Sequence, residues 1–406
     1  MICRSCGKEE FLDFISLKKQ PPANAFLKES DFNRERLYSL DVTCCKNCLL
    51  VQLTEDSYIP RDELFLDYAY ASSISGGLRN HFTDLANKLK SEFNPKLVVD
   101  IGSNDGVLLK PLLEVGCNAI GVEPAVNLAD QANKEGLKTI CSYFNKETVD
   151  KIITESGKAD IIVASNVFAH LDEYHNIIEN VKLLLSDNGS YIVEVQYFAD
   201  MIEEMTFDNI YHEHVLYYTV HSIINLFKRH DMTVYKVDKI PTHGGSIRVY
   251  ISHSKFQREN DESVNKILNE EKQNGIDNLK TLEMFNDKLK NNIEEIRELF
   301  VELKRDNKRV FGYGAPAKSS TMINSIGLDN SNIELIIEDS PLKQGLFTPG
   351  SHIPITSSDI LKTEVPDYLM IFAWNYSDEI IKKVEDKYQK LNYIIPMPEL
   401  RVILKE

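Results

Sequence analysis

Two Cys-x-x-Cys knuckles, Cys3-Arg4-Ser5-Cys6 and Cys45-Lys46-Asn47-Cys48, stand near the start of the chain with 38 residues between them. Five of the seven cysteines fall in this first stretch. The spacing suits a closed tetrahedral zinc site in which Cys3, Cys6, Cys45 and Cys48 fill every ligand position. Zinc held this way supplies folding energy rather than chemistry, because no position stays open for a substrate. A segment this small holds too little core of its own. Cys44 is read as a spectator thiol. Paired, reduced cysteines also point to the cytoplasm.

The whole chain, 406 residues, exceeds one ordinary core, so two or three domains are expected. A net charge of -16 argues against nucleic acid or an anionic membrane surface as a general partner. Positive charge for a phosphate-bearing substrate must then be local. The N-terminus turns polar at once, unlike a signal peptide, and no apolar run approaches the ~20 residues of a membrane span. A soluble monomer is the expected state.

Leu97-Val98-Val99-Asp100-Ile101-Gly102-Ser103-Asn104-Asp105-Gly106 reads as a buried strand entering a glycine turn, with a helix over Val107 to Val115 carried by Leu108, Leu109, Leu112 and Leu113. Gly102 and Gly106 let the backbone approach a ligand. The spacing is not the Gly-x-Gly-x-x-Gly of a dinucleotide fold. A second strand ends at Glu123, 23 residues after Asp100, where a carboxylate can accept hydrogen bonds from ribose hydroxyls. Further units end near Ser142-Tyr143-Phe144, at Asn166 before Val167-Phe168-Ala169-His170, and at Glu194. Alternating strands and helices imply an α/β doubly wound sheet with its ligand at the carboxyl ends of the strands.

From Val98 to Val195 this set resembles the class I S-adenosylmethionine-dependent methyltransferases. The resemblance implies that Asp100, Gly102, Asn104 and Gly106 surround the methionine part and that Glu123 holds the ribose. Ser142, Tyr143 and Phe144 would flank the adenine, and Asn166, Phe168 and His170 would complete the cofactor edge. Asn166 and His170 read equally well as loop polar residues.

After the fifth strand comes Tyr211-His212-Glu213-His214. A zinc protease helix needs His-Glu-x-x-His; here the histidines are two apart, on different faces of a helix, and that reading fails. An acid/base centre and a polar surface turn remain. Thr242-His243-Gly244-Gly245-Ser246-Ile247-Arg248 follows, with Arg248 available for a phosphate or a structural carboxylate. Upstream, Tyr68-Ala69-Tyr70-Ala71-Ser72-Ser73 puts two phenols on one side if extended.

In this order, the knuckles, Tyr-x-Tyr-x-Ser-Ser, Gly-Ser-Asn-Asp-Gly, Tyr-His-Glu-His and His-Gly-Gly-Ser-Ile-Arg resemble the sugar C-methyltransferases that act on nucleotide-linked 4-keto-deoxysugars. The resemblance spans essentially the whole chain. It implies that a side chain removes the proton beside the ketone and that Tyr211, Glu213 and His214 carry the chemistry, with Tyr68 or Tyr70 as a fourth group. His214 is the expected base, since imidazole titrates near neutrality and carbon is a poor nucleophile until deprotonated. A phenol can stabilise the enolate oxygen. His212 is left as scaffold.

Residues 260–306 read as one or two long helices interrupted near Gly275. Then Arg309 to Ser320 repeats the strand, glycine turn and helix start, and Lys318 there makes an anion site. A small Rossmann-like domain is expected, without the third glycine of an NAD site. Asn24, Arg248, Lys318 and Trp374 are the expected substrate contacts, although Trp374 could equally plug the core. The domains expected are a zinc module at 1–70, a class I methyltransferase domain at 71–253, and a helical linker with the Rossmann-like C-terminal domain at 254–406. The cofactors expected are S-adenosylmethionine and structural zinc. The rivals are a nicotinamide-dependent nucleotide-sugar reductase or epimerase, and a non-catalytic zinc-ribbon interaction protein.

Overall fold

The computed structural model describes residues 1–64, 76–171, 173–256, 258–259, 261–276 and 278–405. Tyr68, Tyr70, Ser72 and Ser73 lie outside the described residues. In chain order the strands are β1 (Phe11–Gln20), β2 (Tyr38–Cys45), β3 (Val51–Leu53), β4 (Leu97–Ile101), β5 (Asn118–Glu123), β6 (Thr139–Cys141), β7 (Ala159–Ser165), β8 (Leu185–Gln196), β9 (Leu216–Tyr217), β10 (Met232–Ile240) and β11 (Ser246–His253). Six more follow: β12 (Val310–Tyr313), β13 (Ile336–Ile337), β14 (Ile355–Thr356), β15 (Tyr368–Ile371), β16 (Asn392–Ile395) and β17 (Arg401–Ile403).

They form three sheets. The central one has the order β10-β11-β8-β7-β4-β5-β6. Its pairs are parallel from β8 to β6, and β11 runs antiparallel to both β8 and β10. Helices on both faces bury it, so β4 is buried at every residue and its sequence is an unbroken apolar run apart from Asp100. The strand order reverses on either side of β4, which opens a crevice at the carboxyl ends of β4 and β7. This is the expected class I methyltransferase sheet.

The helix after β4 is shorter than the sequence suggests, Leu109–Glu114. Residues 104–108 are spent on the turn, and Leu113, expected on the buried face, is 43% exposed. The C-terminal sheet has the order β14-β13-β12-β15-β16-β17 and is parallel except at β17. It joins the central unit through helices Glu262–Gln273 and Leu279–Arg305, with Gly275 between them at φ 64°. Their apolar stripe, including Ile267, Leu282 and Phe285, is buried, and Phe285 packs against Phe14 of β1 at 5.7 Å between ring centroids.

The N-terminal sheet has the order β1-β2-β3-β9. Its fourth strand therefore comes from the segment that follows Tyr-His-Glu-His. Val51 pairs with Tyr217 and Gln52 with Leu216. The zinc module and the segment that continues Tyr-His-Glu-His thus share backbone hydrogen bonds.

Candidate active site

All three units face one cavity of about 1420 Å³. On its cofactor side, Gly102 has φ 67°, and a Cβ there would stand 2.4 Å from Val167. Only glycine fits. Asn104 (φ 51°) and Asn166 (φ 56°) hold the same left-handed backbone with side chains attached, strain of the kind that concentrates at binding sites. Glu123 accepts from the N–H groups of Asn104 and Ala125, each at 2.9 Å. Burial raises its pKa, and those two bonds oppose the rise. Its carboxylate is thereby fixed on the cavity wall, with Tyr143 and Phe144 close by on the loop after β6.

Four expected cofactor contacts do not reach this wall. Asp100 is buried behind the turn, where desolvation and then the nearby Glu123 and Glu194 carboxylates hold its pKa well above the usual range. Gly106 closes the turn against Leu137, which a Cβ would meet at 2.4 Å. The Ser142 hydroxyl bonds the Tyr143 carbonyl and Thr148, turned away from the crevice. Phe168 is fully buried, stacked on Tyr218 and Phe227. Sequence spacing places a residue along the chain, but not which side of a loop it faces.

The same cavity is lined by Tyr211, Glu213 and His214. The Tyr211 ring lies 4.0 Å from that of His214, and the His170 ring lies 4.9 Å from it, between centroids. His214 Nδ1 is 2.7 Å from the carbonyl of Asn209, and His170 Nδ1 is 2.7 Å from that of Glu213. A carbonyl only accepts, so in each neutral ring Nδ1 carries the proton and Nε2 the lone pair. Burial lowers the His170 pKa to about 4, which keeps it neutral. His170, expected beside the cofactor, also belongs to this cluster.

Glu213 accepts from Asn24 Nδ2 at 2.6 Å. Burial pushes its pKa up to about 7, against the pull of Asn24 and Lys343. His212 turns the other way, its Nε2 bonded to the carbonyl of Ser39 at 3.0 Å.

The C-terminal unit contributes Lys318 and Lys343, both on the cavity wall. Burial lowers the pKa of each. Lys318 stands at the start of helix Ala317–Ile326, over the Trp374 ring at 5.8 Å. Lys343 Nζ donates to the carbonyl of Ala315 at 2.7 Å and lies over the Phe26 ring at 4.6 Å. Tyr58 also lines the cavity, and neither it nor Lys343 carries a local signal in the sequence, one being a tyrosine after a short turn and the other a lone lysine in a loop.

Two expected substrate contacts are corrected. Arg248 is 6% exposed and donates to Glu194, whose other oxygen meets His81 Nε2 at 2.8 Å. It serves the structural carboxylate instead. Trp374 donates its indole N–H to Asp208 at 2.8 Å and sits behind Lys318 rather than on the wall.

At the N-terminus the sulfurs of Cys3, Cys6, Cys45 and Cys48 lie within 4.8 Å of one another, with Cys3–Cys48 and Cys6–Cys45 both at 3.5 Å. A tetrahedral zinc with bonds of ~2.3 Å needs sulfur separations of about 3.8 Å, so the set fits. Cys44 points to the other side of β2, as alternation along a strand requires. The four thiolates form a structural zinc site.

Family models match nearly end to end: "Putative zinc binding domain" over residues 3–65, "Methyltransferase domain" over 65–237 and "C-methyltransferase C-terminal domain" over 241–398. The C-methyltransferase NovU of Streptomyces niveus is 36% identical over all of this chain and 97% of its own length. The chain belongs to the C-methyltransferase family. It is an S-adenosylmethionine-dependent enzyme, which removes the reductase and the non-catalytic alternatives. A ubiquinone biosynthesis O-methyltransferase of Glaesserella parasuis is 30% identical over 23% of this chain and 42% of its own. Among solved structures, magnesium protoporphyrin IX methyltransferase of Synechocystis, with bound S-adenosylmethionine, aligns over 43% of this chain and 79% of its own at 14% identity and a TM-score of 0.34. Among the described residues no helix is long and apolar enough to cross a membrane.

Proposed function

We propose that the chain methylates the carbon next to the ketone of a nucleotide-linked keto-deoxysugar, with His214 as the base. The observation that carries this reading is the cavity itself. It brings the Glu123 edge, the Tyr211–Glu213–His214 turn and two half-buried lysines of the C-terminal unit into one space. S-adenosylmethionine, when bound, supplies an electrophilic methyl group. Glu123 holds its ribose hydroxyls on the fixed carboxylate. His214, with Nδ1 committed to Asn209, offers Nε2 to the proton on the substrate carbon. The Tyr211 hydroxyl donates to the ketone oxygen as negative charge gathers there. Lys318 and Lys343 on the cavity wall face the substrate's phosphates and supply the local positive field that a chain of net charge -16 otherwise lacks.

Glu213 supports a second assignment of the base, because its pKa of about 7 gives a large ionised fraction at neutral pH. Incubation with S-adenosylmethionine and a panel of nucleotide keto-sugars tests the function. One added methyl by mass, on a carbon by carbon NMR, is the expected result. A methyl on oxygen or nitrogen rules out the proton-abstraction chemistry.

A further inference from the structure

The turn after β12 in the C-terminal unit closely parallels the turn after β4, with the glutamate's turn donor two residues after Gly102 but one after Gly314. Gly102 and Gly314 both have positive φ, 67° and 88°. Their N–H groups donate to the carbonyls of Val122 at 2.8 Å and Ile337 at 2.7 Å, each the residue just before a glutamate. Glu123 accepts from the turn N–H of Asn104 and from Ala125, two residues on, both at 2.9 Å. Glu338 accepts from the turn N–H of Ala315 at 2.8 Å and from Ser340, two residues on, at 2.9 Å. The wall facing each glycine is shared too. A Cβ on Gly102 would meet Val167 and one on Gly314 would meet Ala373, each two positions after the neighbouring parallel strand, β7 or β15.

In both places the two backbone donors take one lone pair from each carboxylate oxygen. They fix the carboxylate plane and leave acceptor capacity for a hydroxyl pair or a single hydroxyl. A carboxylate at the end of the second strand, braced on a glycine turn, is how such folds hold a pentose. Glu338 is half-buried, beside the cavity lining rather than in it, since Ala315, which donates to it, adjoins Pro316 of the wall. The same turn runs on through Pro316, Ala317 and Lys318 along the cavity wall, and Lys343 is bonded to the carbonyl of Ala315, whose N–H serves Glu338. Phosphate-attracting cations therefore flank the second cradle.

We propose that Glu338 is a second pentose-recognising carboxylate, which accepts a hydroxyl of the substrate's nucleoside pentose while Lys318 and Lys343 face its diphosphate. This rests on the nucleotide-linked reading above and extends it from the sugar to the nucleoside. One chain then holds two pentoses on two copies of one device, the cofactor's on Glu123 and the substrate's on Glu338.

Calorimetric titration of the full-length, zinc-loaded protein with the 5′-diphosphates of uridine, thymidine and guanosine, and with inorganic pyrophosphate, tests it. For the nucleotide bound tightest, Glu338→Gln is expected to weaken binding about tenfold or more, the effect of losing a hydrogen bond to a charged group. Pyrophosphate and S-adenosylmethionine should bind that variant as they bind the wild type. The 3′-deoxy form of the same nucleotide should bind wild type about tenfold more weakly and lose nothing further in the variant. That arm on the unaltered protein needs no substitution to fold. Equal loss of nucleotide and pyrophosphate would reduce Glu338 to a brace for the turn and overturn the inference, as would unchanged nucleotide binding. Wild type binding none of the three nucleotides more tightly than pyrophosphate would instead remove the nucleotide-linked reading, and this inference with it.

Discussion

The carboxamide of Asn24 donates to the carboxylate of Glu213 at 2.6 Å, across 189 positions of sequence. Asn24 belongs to a strap that is itself tied to the C-terminal unit. Ser320 donates to the carbonyl of Ala23 at 2.9 Å, and Leu27 and Phe347 exchange two backbone hydrogen bonds. One side chain thus fixes the Glu213 carboxylate against elements from both ends of the chain. Burial raises Glu213 to about 7 and the Asn24 bond opposes it. Removing that bond in Asn24→Ala must therefore raise the pKa further. The acid limb of kcat/KM should move to higher pH, with about a tenfold loss at neutrality. A pH–rate profile identical to wild type would detach Glu213 from the reaction.

His214→Asn keeps a polar side chain but removes the base. Turnover should fall by roughly 10²–10⁴ while S-adenosylmethionine binds with unchanged affinity. Exchange of the substrate's α-proton with heavy water, followed by NMR, should stop as well. Undiminished turnover with unchanged exchange would assign the base elsewhere, with Glu213 next in line.

Glu123→Gln leaves one oxygen to meet two backbone N–H donors and turns an amide toward the other. Binding of S-adenosylmethionine by calorimetry should weaken about tenfold to a hundredfold. The fold should persist, since the strand and turn keep their remaining bonds. Intact affinity would mean that the ribose sits elsewhere in the cavity.

His170 should make stability depend on pH. Its folded pKa of about 4 lies below its ordinary 6.5, so between these values the unfolded chain binds more protons. The contribution is complete above about 6.5 and is lost as pH falls through 4. Thermal melts across this window should show a slope that flattens in His170→Gln. Parallel slopes in both proteins would show that the ring is more open to water than its packing indicates.

Zinc removal should reach the Tyr-His-Glu-His turn, because β9 is at once a strand of the zinc module's sheet and the continuation of that turn. Cys45→Ser should lower zinc from one per chain to near zero by metal analysis, drop the melting temperature by roughly 10 °C or more and abolish most activity. A zinc-free protein with full activity would show that the sheet holds without its metal.

Much of this was legible in the sequence because its causes are local. Glycine turns, apolar runs buried on both faces of a parallel sheet and single Cys-x-x-Cys knuckles each announce themselves within ten residues. The helices around Gly275 likewise follow from their apolar stripe. What stayed hidden depends on partners far along the chain. Arg248 reads as a possible phosphate ligand until β11 pairs with β8 and sets it beside Glu194. Phe168 looks like a cofactor contact until Tyr218 and Phe227 close around it. Lys343 becomes part of the site only when the strap lays Phe26 beneath it.

The shared edge between β3 and β9 also limits how this chain can be reshuffled. A boundary near residue 65, where the family models change, looks like a natural seam for trading one zinc module for another. A traded module would arrive with a β3 shaped for a different Leu216–Tyr217, and the misfit would fall one step from His214. Relatives are therefore expected to inherit the first 65 residues and the Tyr-His-Glu-His segment together, as a single heritable part interrupted by the methyltransferase sheet.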